Sequence, residues 1–130
     1  MVSADAGIWL AFLRNDVSAG PLRGLLEGDR VSVHPFVLIE LRLKIRGPQR
    51  AQMLGDLERL VACAVDPPEE VSTFIEERDL KEAQIELVGA HLLLSAVRHG
   101  DRLWSADRAL NAAAAKLKVA FSPSDSRDRG

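Results

Sequence analysis

The chain has 130 residues, 47% of them hydrophobic, and a formal net charge of −2. That is enough apolar material for one domain with a buried core, and too little positive charge for nucleic-acid binding by bulk attraction. The single cysteine, Cys63, excludes an internal disulfide, no apolar run reaches the roughly 18 residues that cross a bilayer, and the opening Met-Val-Ser-Ala-Asp lacks the order of a signal peptide, so a reducing cytoplasm without membrane contact is expected.

Residues 1–5 open with a strand-like stretch. Ile8, Trp9, Phe12 and Leu13 then recur at helical spacing, and Asn15-Asp16 breaks that helix. Pro21 opens a second helix carrying Leu22, Leu25 and Leu26, and Gly28 closes it, the usual asymmetry of helix ends. Arg30 to His34 is alternating and β-branched, which predicts a strand. Pro35 starts a helix over Phe36 to Arg46, ended by Gly47. Residues 48–60 give another, with Met53, Leu57 and Leu60 as its apolar positions. Val61 to Val65 is short and apolar, and its type stays open. After Pro67-Pro68, Val71, Phe74 and Ile75 share a face of a helix from about Glu69 to Arg78. Residues 88–98 form a strongly apolar helix before Gly100, Arg102 to Ser105 a strand, Asp107 to Leu117 an alanine-rich helix, and Val119 to Phe121 a last short strand. Residues 122–130 mix Ser, Asp, Arg, Pro and Gly and read as a flexible tail. No internal repeat is visible. Strands separated by helices predict an α/β fold, a central parallel sheet flanked by helices.

In open α/β sheets, ligands bind at the carboxyl ends of the strands. Asp5 ends the first strand, Asp107 follows Leu103-Trp104-Ser105, and Glu40 lies in the helix after Val31-Ser32-Val33. Taken singly, Asp5 and Asp107 read first as N-caps. Glu40 is harder to dismiss: Phe36, Val37 and Leu43 at i−4, i−3 and i+3 set it on an apolar stripe, where an unpaired charge is costly. Lys44 at i+4 offers it a partner. Carboxylates that converge need a cation, and oxygen ligands alone suit Mg²⁺ or Mn²⁺. Such an ion serves phosphodiester hydrolysis.

The other candidates read more simply. His91 fits a satisfied, partly buried histidine better than a catalytic base. His34 and His99 read as strand-end and helix-end residues, Trp9 and Trp104 as core, and Cys63 as an inert buried thiol. Glu86, one turn before Gly89, could reach toward that position, but nothing in the sequence requires it and it reads by default as surface charge. Arg42, Lys44, Arg46 and Arg50 form a basic run, either a solvated face or a contact for RNA phosphates. No glycine-rich phosphate loop, zinc spacing or Ser-His-Asp order is visible.

These segments carry a family resemblance. Asp5-Ala-Gly-Ile-Trp-Leu-Ala-Phe-Leu-Arg14 resembles the opening of VapC-type PIN domains, where an Asp after the first strand precedes a small pair and an apolar helix. His34-Pro-Phe-Val-Leu-Ile-Glu-Leu41 is similar to the family's second acidic motif, with Glu40 in the acidic place. Leu103-Trp-Ser-Ala-Asp107-Arg-Ala-Leu110 is similar to its last, where a hydroxyl residue, here Ser105, precedes the Asp by two. The ending Ala-Ala-Ala-Lys-Leu-Lys-Val-Ala-Phe121 also fits.

The resemblance implies a PIN domain over residues 1–121. It further implies a Mg²⁺-dependent endoribonuclease (Mn²⁺ as a substitute), the toxin of a type II toxin–antitoxin pair. Such a protein is a homodimer, acts on RNA in the cytoplasm, and is held inactive by a VapB-type antitoxin. Asp5, Glu40 and Asp107 would be its catalytic metal ligands, and Ser105 a hydroxyl that orients a carboxylate. There is one departure: by resemblance an Asp belongs where Gly89 stands in Val88-Gly-Ala-His-Leu-Leu93. Glycine in a helix costs about 0.5–1 kcal/mol relative to alanine, and less near an N-terminus, so packing does not obviously demand it. The residues leave two alternatives: an active nuclease with three acids, or an impaired PIN domain that still dimerises and binds its antitoxin. A phosphoacceptor receiver domain would want paired acids after the first strand, and Asp5 has no acidic neighbour.

Overall fold

Short strands alternate with helices through residues 1–123, the part of the chain that the computed structural model describes. Of the tail expected at 122–130, residues 124–130 lie outside the described residues. In chain order the elements are β1 (Val2–Ala4), α1 (Ala6–Leu13), α2 (Pro21–Glu27), β2 (Val31–Val33), α3 (Pro35–Lys44), α4 (Arg50–Glu58), β3 (Val61–Ala62), α5 (Pro68–Glu77), α6 (Leu87–His99), β4 (Arg102–Trp104) and α7 (Arg108–Lys116). Short 3-10 turns at Val17–Ala19 and Leu80–Ala83 fill two connections that no periodicity announces.

The strands form one parallel sheet in the order β3-β2-β1-β4. All residues of β1 and β2 are buried, as expected for parallel strands covered on both faces. Leu22, Leu41, Leu93 and Leu103 are fully enclosed, and Trp9 and Trp104 join them in the core. Cys63 is buried as well, with its Sγ 3.4 Å from Ser32 Oγ, and burial pushes its thiol pKa up. Among the described residues, no helix is long and apolar enough to cross a membrane.

One open segment is settled and one expected strand comes out differently. The ambiguous run at Val61 supplies an edge strand, β3, with Val61 60% exposed. The last strand expected at Val119 to Phe121 reduces to a single parallel bridge between Leu103 and Ala120. Lys118, at a left-handed φ of 64°, turns the chain just before it.

The strand order builds the site. After β3 at one edge, the chain crosses over β2 and β1 to lay β4 on the far side of β1. The carboxyl ends of β1 and β4 therefore meet where the order reverses, the place where such sheets open a crevice. The amide of Asp5 donates to the Trp104 carbonyl at 2.9 Å across this junction.

Candidate active site

Asp5 and Asp107 each begin a helix at the junction. Asp5 is the N-cap of α1, and its Oδ1 accepts from the Ile8 amide at 3.0 Å. Asp107 is the N-cap of α7, and its Oδ1 accepts from the Ala109 amide at 2.9 Å. Both cap readings therefore hold. Asp5 also ties the two helix starts together, accepting from the Ala106 amide and from Ser105 Oγ in a short hydrogen bond. Ser105 Oγ in turn accepts from the Asp107 amide at 2.8 Å. Asn111, which the sequence reading missed, clasps the Ser105 backbone from both sides: its Oδ1 accepts from the amide and its Nδ2 donates to the carbonyl. The signal for it was its i+4 spacing from Asp107, one turn along α7.

Gly7 explains the small pair after Asp5. A Cβ there would stand 2.8 Å from Ala106 Cβ, so the start of α1 meets the loop before α7 only without a side chain. Ser105→Ala should cost about 1.5–3 kcal/mol, the range for a hydrogen bond to a charged group, because it leaves Asp5 Oδ2 without its hydroxyl donor. Urea unfolding of the two proteins measures the difference, and equal midpoints would show that the hydroxyl does not hold Asp5.

Glu40 sits at the border of α3 rather than within its buried stripe. Val37 and Leu41 are buried, but Leu43 is 70% exposed, so the apolar surround expected from the sequence is only half present. What remains suffices to perturb the acid. Burial raises the Glu40 pKa above its ordinary value, Lys44 pulls it back, and the charges of Asp5 and Glu86 push it up further.

Asp5, Glu40, Lys44, Glu86, Gly89 and Asp107 line one open cleft of about 310 Å³, with Leu92 and Leu110 among its apolar walls. The three acids proposed from the sequence thus face a common space. Glu86, exposed as expected of surface charge, also lines it. The nearest atoms to a Cβ added at Gly89 would be the methyls of Leu110, at 3.3 and 3.5 Å, and Ile85 Cβ at 3.8 Å, the first close enough that Leu110 would have to give slightly. The backbone there is not left-handed, so nothing in its conformation reserves the position for glycine.

The basic run divides. Arg42 pairs with Glu58 in a short contact, and Arg50 donates to the Ile45 and Arg42 carbonyls, closing the end of α3. Lys44 alone of the four lines the cleft.

His34 and His91 lie behind the site. His34 is fully enclosed and caps α3, with its Nδ1 accepting from the Phe36 amide, rather than being a mere strand end. Its ring centroid is 6.2 Å from that of His91, and Phe36 packs on both. Burial, and then the neighbouring His91, push its pKa from 6.5 down to about 4, against a smaller opposing pull from Asp66. Between those values the unfolded chain binds a proton that the folded chain refuses. The His34 contribution is thus intact above about pH 6.5 and is lost as the pH falls toward 4. His34→Asn keeps a good cap and removes the titration. Urea unfolding at pH 7 and pH 5 should show a smaller loss of stability in the variant, and equal losses would refute this assignment.

The donor set of the cleft suits a hard divalent cation. Its acidic lining is carboxylate throughout, with no thiol or imidazole. Among the described residues, however, no three His, Cys, Asp or Glu side chains are gathered closely enough to hold a metal ion as they stand. The fit is one of chemistry and of a shared space, with Asp5 held by the amides of Ile8 and Ala106.

Comparison with known proteins places the chain in a family. The pattern of the PIN domain matches residues 3–116. Ribonuclease VapC32 of Mycobacterium tuberculosis, in strain CDC 1551 / Oshkosh and in strain H37Rv, is 35% identical over 123 residues, which span 93% of this chain and 96% of the relative. The crystal structure of PAE2754 from Pyrobaculum aerophilum superposes with a TM-score of 0.66 at 17% identity, covering 98% of this chain and 93% of the other. At that identity the second likeness concerns the fold alone.

Proposed function

Because this chain belongs to the PIN-domain family, we propose that it is a metal-dependent endoribonuclease, the toxin of a type II toxin–antitoxin pair acting on RNA in the cytoplasm. The observation that carries the proposal is the common cleft of Asp5, Glu40 and Asp107 at the junction of β1 and β4. Those three side chains would hold Mg²⁺, or Mn²⁺ in its place. Bound there, the ion supplies charge neutralisation for a phosphodiester and lowers the pKa of a water.

The chain's own residues do the rest. Ser105 and the Ala106 amide fix the orientation of Asp5. Asp107 spends one oxygen on its cap and keeps the other uncommitted among the described residues. Glu40, whose charge burial and the neighbouring acids disfavour in the metal-free chain, is the carboxylate that would gain most from a bound cation. Lys44 brings positive charge to the rim where an RNA phosphate would approach. Partners are supported by surface apolar groups: Ile39 and Leu43, four residues apart on α3, are 53% and 70% exposed. A homodimer and a VapB-type antitoxin are the partners we assign.

Gly89 favours a second reading, a PIN domain that folds and binds its partners with cleavage impaired. Metal-dependent cleavage by this chain and by its Gly89→Asp variant separates the two. Strong cleavage by the unchanged chain removes the impaired reading. Equal inactivity of both proteins sinks the assignment of Gly89 as the place of a missing ligand.

A further inference from the structure

We propose that Glu86 supplies the carboxylate that position 89 lacks, serving as the fourth acid of the cleft; this rests on the metal-dependent reading above. Three features of the start of α6 carry it. First, Glu86 is the N-cap of α6 and lines the same cleft as Asp5, Glu40 and Asp107. Second, its carboxylate does not cap the helix, whereas Asp5 and Asp107 each commit an oxygen to their own helix start. Its carboxylate is therefore left free of the helix start. Third, Gly89 stands three residues on, where a side chain would share its face. That position has no backbone reason to be glycine, and a Cβ there would press on the methyls of the buried Leu110, the nearer at 3.3 Å, which would have to shift by a few tenths of an ångström.

The empty place and the uncommitted acid are therefore adjacent. An Asp at position 89 would present its carboxylate from the first turn of α6. A Glu at the N-cap starts one turn earlier and has one more methylene, and without a side chain at position 89 nothing from that position stands in its path. Three acids in the family's order plus one relocated acid restore four carboxylates to the cleft.

The test is Mn²⁺ binding to the full chain by titration calorimetry without RNA, so that it does not depend on turnover. Glu86→Gln is nearly isosteric, and the Glu86 side chain makes no capping bond, so folding should be unaffected, as a thermal melt would verify. The variant should bind Mn²⁺ at least about tenfold more weakly. Adding Gly89→Asp to it should restore affinity, while Gly89→Asp alone should add little to a site already supplied. If Glu86→Gln binds as the unchanged chain does while Glu40→Gln binds weakly, the role of Glu86 is overturned and the metal site stands. Failure of Gly89→Asp to rescue Glu86→Gln overturns it too. If neither Glu40→Gln nor Glu86→Gln changes binding, the metal site itself is wrong.

Discussion

Replacing Glu40 with Gln should lower metal-dependent RNA cleavage by about 10²–10³-fold, the scale on which loss of one well-placed electrostatic group acts, while the protein stays as stable as before or becomes more so. The two effects have one cause. Burial and the charges of Asp5 and Glu86 outweigh the help from Lys44 and raise the Glu40 pKa. A raised carboxyl pKa means that folding disfavours the ionised form, so at neutral pH the charge works against stability. Glutamine keeps the shape, removes that cost and removes the charged ligand. Cleavage assays paired with thermal melts check both halves. A variant that loses activity by unfolding would show a lowered melting temperature, opposite to the expectation. A variant that keeps full activity would remove Glu40 from the site.

Leu93→Ala should destabilise the protein by about 2–5 kcal/mol, the range for truncating an enclosed leucine. Leu93 is fully buried on α6, within a run from Ala90 to Ala96 that is buried at every position. A helix enclosed over two turns has little freedom to collapse onto a void, which places the cost toward the upper part of the range. Because α6 also carries Glu86 and Gly89 at its cleft end, loosening it should impair cleavage even where the protein remains folded. Urea denaturation measures the loss. A change below about 1 kcal/mol would show that the core around α6 repacks readily.

Much of this was legible in the chain, and the rest failed for identifiable reasons. Local signals located the helices well: Pro21 and Gly28 bracket α2, Pro35 opens α3, and Gly100, at a left-handed φ of 74°, closes α6. Strand neighbours were not legible, because the pairing of β1 with β4 joins residues about a hundred positions apart and depends on the crossover. The roles of Asp5 and Asp107 stayed ambiguous for a chemical reason: a carboxylate has two oxygens, so capping a helix does not use up the group. The apolar stripe around Glu40 was overstated, since Leu43 is helically adjacent yet turned to solvent. Glu86, one turn before Gly89, was within reach of the gap in sequence but read by default as surface charge because Glu is ordinarily exposed, and it is exposed here too. Only its place beside the cleft, three residues before Gly89, distinguishes it. The basic run looked uniform in sequence, but Arg42 and Arg50 are committed to Glu58 and to the end of α3.

Cleavage of cellular RNA by the unchanged chain, in Mg²⁺ and after chelation by EDTA, tests the central claim most directly. The account predicts fragments in Mg²⁺, none after EDTA, and recovery when Mn²⁺ is added. Cleavage that persists undiminished in EDTA, or intact RNA at every metal concentration, would contradict it.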